Sequence, residues 1–203
     1  MKLVFATNNL NKVKELQSLI PSHITILSLE DIGCKEDIPE TQDTIEGNAM
    51  QKSAYVKRNY GYDCFADDTG LEVESLNNEP GVYSARYAGE QRSAKDNMDL
   101  LLKKLKDKPN RNARFKTVIS LELNGVTRTF TGLCEGEITT EKKGTDGFGY
   151  DPIFKPHNHN ETFAEMDLSL KNNIGHRGKA VRALVKYLNN IYKIWSIIFF
   201  VVF

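Results

Sequence analysis

Two adjacent carboxylates, Asp67 and Asp68, stand in the run Ala66-Asp67-Asp68-Thr69-Gly70-Leu71. A hard cation such as Mg2+ takes a few carboxylates and completes its shell with water and phosphate oxygens, and this pair suits it. A carboxylate beside such an ion can also accept the proton of an attacking water. A second run, Thr7-Asn8-Asn9-Leu10-Asn11-Lys12, sets a hydroxyl, amides and a lysine between an apolar stretch and a helical pattern. Its backbone N–H groups, the helix start and Lys12 can cradle phosphate oxygens, although the glycines of a Walker loop are missing. In Gly147-Phe148-Gly149-Tyr150-Asp151-Pro152, glycines allow close backbone approach and the aromatics can lie against a flat ring. Asp151 can accept from a ring N–H or a sugar hydroxyl. Lys171, His176 and Arg177 form a fourth group; a guanidinium only donates, which suits a base carbonyl or a phosphate. Each group has a plain structural alternative: an Asp-rich turn, a polar connecting loop, core aromatics, a solvated helix start. His23, His157 and His159 read as ordinary histidines.

The elements that must position these groups follow from hydrophobic periodicity. Residues 2–7 read as a buried strand, 13–20 as a helix ended by Pro21, and 24–29 as a second strand. An acidic loop covers 30–42. Asp43 with Glu46 resembles a capping box that opens a helix to about Asn59, with Gly61 ending it. Residues 63–67 and 71–76 read as two strands joined by an Asp-Asp-Thr-Gly turn. Ser93 with Asp96 caps a helix presenting Met98, Leu101, Leu102 and Leu105. Asn124-Gly125 between 114–123 and 126–138 is a strong hairpin signal. Residues 178–187 read as a terminal helix with Val181, Leu184, Val185 and Leu188 inward. This order predicts an α/β fold built on a mixed, strongly twisted sheet, with ligands collecting at strand ends.

The chain has 203 residues, 40% hydrophobic and 27% charged, with zero formal net charge. That fits one folded domain and argues against a broad nucleic-acid face, which needs a basic surface. Cys34, Cys64 and Cys134 are odd in number and far apart, so neither a disulfide framework nor structural zinc is expected, and a reducing cytoplasm is the default. No signal peptide is read at the start. The run 191–203 is apolar, but its uninterrupted part is far shorter than the ~20 residues of a spanning helix. It reads either as a last strand packed on the body, where it would bury Trp195, or as a tail outside a 1–190 domain. A membrane or partner contact by the tail stays open.

Taken together, ATNNLNKVKEL, ETQDTIEGNAMQKS, ADDTGLEV, PGVYSARYAG, GTDGFGYDPIF, TFAEM and KNNIGHRGKA resemble, in order, the inosine triphosphate pyrophosphatase family (the XTP/dITP pyrophosphatases). The resemblance runs from Lys2 to about Leu188. It implies a single domain of two lobes around a long twisted sheet with the active-site cleft between them. It implies a Mg2+-dependent hydrolase that converts ITP, dITP and XTP to monophosphate and pyrophosphate, cleansing the nucleotide pool, and a cytoplasmic homodimer. Asp68 then matches the proton acceptor that also binds Mg2+, and Glu40 a second metal carboxylate. Thr7, Asn8, Asn9 and Lys12 match the phosphate-side loop, Lys52 a lysine facing the triphosphate, and Thr69 a substrate contact. Phe148, Gly149, Tyr150 and Asp151 resemble the base and sugar pocket, completed by Lys171, His176 and Arg177. Residues 80–89 fall near the cleft or the dimer contact. Two departures bear on specificity: Gly175 where the family usually has serine, and Asp146 where it commonly has a small residue.

Three other classes make different demands on the sequence. A Maf-type pyrophosphatase acting on pyrimidine or modified nucleotides would share the reaction but lack the FGYDP and HRG pieces. A silent nucleotide-binding module has no need of the carboxylates. A nucleic-acid binder would show salt-dependent binding without turnover.

Overall fold

The computed structural model describes residues 1–202, with side chains through Tyr192. In chain order it forms β1 (Lys2–Phe5), α1 (Leu10–Gln17), β2 (Thr25–Leu27), α2 (Ile45–Tyr60), β3 (Cys64–Val73), β4 (Glu79–Gly81) and α3 (Ala94–Lys104). β5 (Asn112–Leu123), β6 (Val126–Ile138), β7 (Phe154–Pro156), α4 (Leu168–Ile174) and α5 (His176–Val202) follow. One seven-stranded sheet runs β2-β1-β3-β5-β6-β7, with β4 added to β3. β1 pairs in parallel with β2 and β3, while β3–β5, β5–β6, β6–β7 and β3–β4 are antiparallel, so the sheet is mixed as expected.

The long strands β3 and β5 run through four apolar clusters, two of them large. Phe65, Ile119 and Leu121 pack with Leu3, Phe5 and Leu16 and with the α5 face of Val181, Leu184 and Leu188. Farther along the same strands, Leu71, Val73 and Phe115 pack with Met98, Leu101, Phe154 and Phe163. Asp67, Asp68 and Thr69 occupy the interval between these two apolar bodies. The hairpin forms where expected: Leu123 pairs with Val126, and Asn124 and Gly125 take φ of 51° and 77°, the left-handed pair a tight hairpin needs.

Several expectations are corrected. Asp67-Asp68-Thr69-Gly70 is not a turn; residues 64–73 are one continuous strand, paired with β5 from Cys64↔Glu122 to Val73↔Ala113. Buried cations offset the carboxylates there, so tertiary pairing overrides the turn preference of Asp. The cap of α2 is Thr44, whose Oγ1 accepts from Gly47 N–H at 2.9 Å, and not Asp43. α1 starts at Leu10 because Asn9 Oδ1 accepts from the N–H groups of Asn11 and Lys12 at 3.0 and 3.3 Å. α4 forms where the periodicity predicts no element, and α5 starts at His176 rather than Gly178. α5 is helical to Val202, so the strand reading of 191–203 gives way to helix extension, which costs little once a helix is nucleated. The packing of the tail and the surroundings of Trp195 lie outside the described residues. Among the described residues no helix is long and apolar enough to cross a membrane.

Candidate functional site

A cleft of about 710 Å³ opens at the junction of the two cores, within the range usual for small-molecule sites. The structure brings every expected site residue to its wall: Thr7, Asn8, Asn9, Lys12, Glu40, Lys52, Asp68, Thr69, Phe148, Gly149, Tyr150, Asp151, Lys171, His176 and Arg177.

α2 shows how local sequence aims a charge. Its buried face carries Ile45, Asn48, Ala49, Lys52, Ser53 and Val56, a helical stripe in which three polar side chains interrupt the apolar ones. Asn48 Nδ2 donates to Asp68 Oδ2 at 3.3 Å. Lys52 Nζ donates to Glu40 Oε1 and approaches Asp68 Oδ1 at 3.5 Å. Burial, with the charges of Glu40 and Asp67, holds the Asp68 carboxyl above its ordinary range against the pull of Lys52 and Lys12. Glu40, pushed up by burial, is brought below its ordinary value by Lys52 and Lys12. Among the described residues no three His, Cys, Asp or Glu side chains gather into a metal cage. Glu40 and Asp68, joined through Lys52, are an incomplete oxygen set of the kind Mg2+ uses when phosphates supply further ligands.

Asp67 faces the other way. It is 2% exposed, receives Lys12 Nζ at 3.0 Å and Arg177 Nε at 3.3 Å, and donors hold it ionised. Burial raises its pKa, but the charges of Lys12 and Arg177 prevail and hold it well below the carboxylate range. Arg177 also donates to Glu15 Oε2 and to Thr69 Oγ1 at 3.2 Å. Lys171 Nζ donates to Glu15 Oε1 and Asp151 Oδ2, both at 2.6 Å. Phe148 lies over both cations, with Lys171 Nζ 4.9 Å and Arg177 Cζ 5.5 Å from its ring centroid. Gly147, at φ 74°, makes this corner possible: a Cβ there would lie 2.2 Å from Asp151 Oδ2, which accepts Phe148 N–H at 2.7 Å. His176 stacks on Phe115 at 4.4 Å, and its buried Nδ1 has no hydrogen-bond partner among the described residues; burial first, then Arg177 and Lys171, push its pKa well below the ordinary value.

The family model of the Ham1 family matches residues 3–187. The chain belongs to the Ham1 family. It is 66% identical over 188 residues to a dITP/XTP pyrophosphatase of Flavobacterium johnsoniae, covering 93% of this chain and 98% of that relative. Its fold matches the Staphylococcus aureus Ham1 protein at TM-score 0.86 and 38% identity, over 94% of this chain and 99% of the other. A HAM1 protein from Coxiella burnetii matches at TM-score 0.88 and 36% identity, with the same coverage.

In this Ham1-family chain the residue missed by sequence reasoning is Glu15, the buried carboxylate shared by Lys171 and Arg177. Its signal was present: Glu15 lies three residues after Lys12 and one before the buried Leu16, a carboxylate beside the apolar stripe of α1. Asn48 was missed likewise. The two departures also gain a physical account. Gly175 ends α4, and a Cβ there would sit 2.5 Å from the Lys171 carbonyl, so any side chain would shift the turn carrying Lys171. Asp146 is exposed and off the cleft wall; its N–H donates to Ala164 O at 3.1 Å.

Proposed function

We propose that the protein hydrolyses non-standard purine nucleoside triphosphates (ITP, dITP and XTP) to the monophosphate and pyrophosphate. The observation that carries this reading is the division of one cleft into a carboxylate end, Glu40–Lys52–Asp68, and an aromatic, cation-backed end, Phe148–Lys171–Arg177. The name borne by the Flavobacterium johnsoniae relative agrees with it.

In this reading a water oxygen attacks the α-phosphorus, the bond from that phosphorus to the β-bridging oxygen breaks, and pyrophosphate leaves. Asp68 takes the water's proton; an upward-shifted carboxylate is the better proton acceptor near neutrality. Lys12 and Lys52 offset charge on the phosphates, as in other phosphoryl transfers. The residues present fit magnesium: Glu40 and Asp68 would hold it, and it would supply positive charge against the phosphate oxygens. Thr7, Asn8 and Asn9 frame the phosphate side. Asp67 positions Lys12 and Arg177 from behind.

Base choice rests on hydrogen-bond polarity. Arg177 keeps N–H groups beyond those its three partners use, and a guanidinium cannot accept. A 6-oxo purine offers it an acceptor, whereas adenine presents an amino donor and leaves donors facing each other. Buried polar sites reject such mismatches by ~10⁴-fold or more. Asp151 uses Oδ2 for Phe148 and Lys171, leaving Oδ1 for a base or sugar donor. The same reading takes the protein as a cytoplasmic homodimer, which sedimentation of the purified chain tests.

The experiment is pyrophosphate release from ITP, dITP, XTP, GTP, ATP and dTTP with and without Mg2+. Metal-dependent release from ITP and XTP with near silence on ATP is expected. Release confined to dTTP would turn the assignment to pyrimidine nucleotides, and silence throughout would reject the enzyme.

A further inference from the structure

Most cations on the cleft wall are already committed. Lys12 bonds Asp67, Lys52 bonds Glu40 and Asp68, Lys171 bonds Glu15 and Asp151, and Arg177 bonds Glu15 and Asp67. Among the described cations of the wall, Arg86 and Arg92 alone lack a carboxylate oxygen within 4.0 Å, although Asp37 and Glu90 also border the cleft.

Both arginines belong to the stretch between β4 and α3, and two consecutive turns fix their spacing. Gly89 N–H donates to Arg86 O at 3.0 Å, and Arg92 N–H donates to Gly89 O at 3.2 Å. Arg92 holds φ at 52°, a left-handed conformation that costs free energy for a side chain of this size and that concentrates at functional sites. It directly precedes Ser93, whose hydroxyl caps α3, so its backbone is held from both sides. Arg86 is braced over the Tyr83 ring, 5.2 Å from its centroid. Arg92 and Arg86 line the same cleft as Glu40, Lys52 and Asp68, the residues of the carboxylate end.

A guanidinium with uncommitted donors is planar and bidentate toward phosphate oxygens. Resting on the triphosphatase reading above, we propose that Arg92, with Arg86 as the second cation, binds the β- and γ-phosphates and so holds the pyrophosphate half of the substrate from the wall opposite in sequence to the Lys12 loop. The monophosphate half is left to the Phe148–Arg177 end.

Calorimetry on the intact chain in MgCl2 separates the halves, with inorganic pyrophosphate as one probe and inosine monophosphate as the other. R92A should weaken pyrophosphate binding roughly ten- to hundredfold, the range of a charge-assisted hydrogen bond, and R92K should recover part of it. R86A should show a smaller loss. Inosine monophosphate affinity and the melting temperature should stay at wild-type values, because Arg92 is exposed. Equal pyrophosphate binding by R92A and wild type, or no binding by wild type, overturns the proposal. Selective loss in R92A from a wild-type chain that turns over no triphosphate would instead reject the pyrophosphatase reading and leave this site standing.

Discussion

The two ends of the cleft solve opposite problems. At the Phe148 end, Glu15, Asp151, Lys171 and Arg177 are 3–6% exposed and joined by short bonds, so two cations are paired with two carboxyl groups before any ligand arrives, even though burial holds the Asp151 carboxyl above its ordinary range. At the Glu40 end, the Glu40 side chain is 32% exposed, Asp68 stands 3.5 Å from Lys52, and the Asp68 carboxyl is raised by burial and by like charge. The first end is rigid enough to read shape and hydrogen-bond polarity. The second is an unfinished oxygen set that an ion and phosphates would complete. A buried ion network adds little net stability but fixes geometry, because breaking it strands a charge.

The difference is sharpest if each end is broken separately. Asp68→Asn should lower kcat by about 10²–10⁴-fold, the usual weight of a proton-transfer group, with the melting temperature unchanged or higher, since the raised pKa means its charge costs stability. Parallel losses of turnover and stability would erase the distinction. Lys171→Met should do the reverse, stranding Glu15 and Asp151 and costing about 3–5 kcal/mol in denaturant unfolding. A cost below ~1 kcal/mol would mean that end is not a balanced network.

Acid should strike the Phe148 end as well. His176 has a folded pKa well below its unfolded value, so the unfolded chain binds the extra proton first. Stability is then full above the unfolded value of about 6.5 and falls as pH drops below it, by up to about 1.4 kcal/mol per unit for one proton. Glu15, pushed up by burial but held low overall by Arg177 and Lys171, adds a loss of the same sign below its unfolded value. Melting temperatures from pH 7.5 to 5.5 should fall, and His176→Asn should flatten the slope; an unchanged slope would remove His176 from the account. The smallest expected effect is Thr44→Ala, about 1 kcal/mol from loss of the α2 cap, read as a melting shift of roughly 2–4 °C. No shift would return the cap to Asp43.

What was legible in the sequence follows the same division. The Asn124-Gly125 hairpin and the Ser93 cap are local devices, and they appear where local rules put them. Residues destined for the cleft were visible as polar groups next to turn-forming or apolar ones. Glu15 was not singled out because its partners lie more than 150 residues away, on α4 and α5. Locally Asp67-Asp68-Thr69-Gly70 reads as a turn, because only long-range partners, Lys12, Lys52 and Arg177, make two carboxylates tolerable in mid-sheet. α4 carries a local signal, the Asp167 cap that accepts Leu170 N–H at 2.8 Å, but its seven residues are too few for a clear period.

The most direct test of the central claim follows the oxygen atom. Hydrolysis of ITP by the intact protein in ¹⁸O-enriched water with Mg2+, read by mass spectrometry, should place the label in inosine monophosphate and leave pyrophosphate unlabelled. Label in orthophosphate alongside inosine diphosphate, or in pyrophosphate, would show attack away from the α-phosphorus and contradict the assignment.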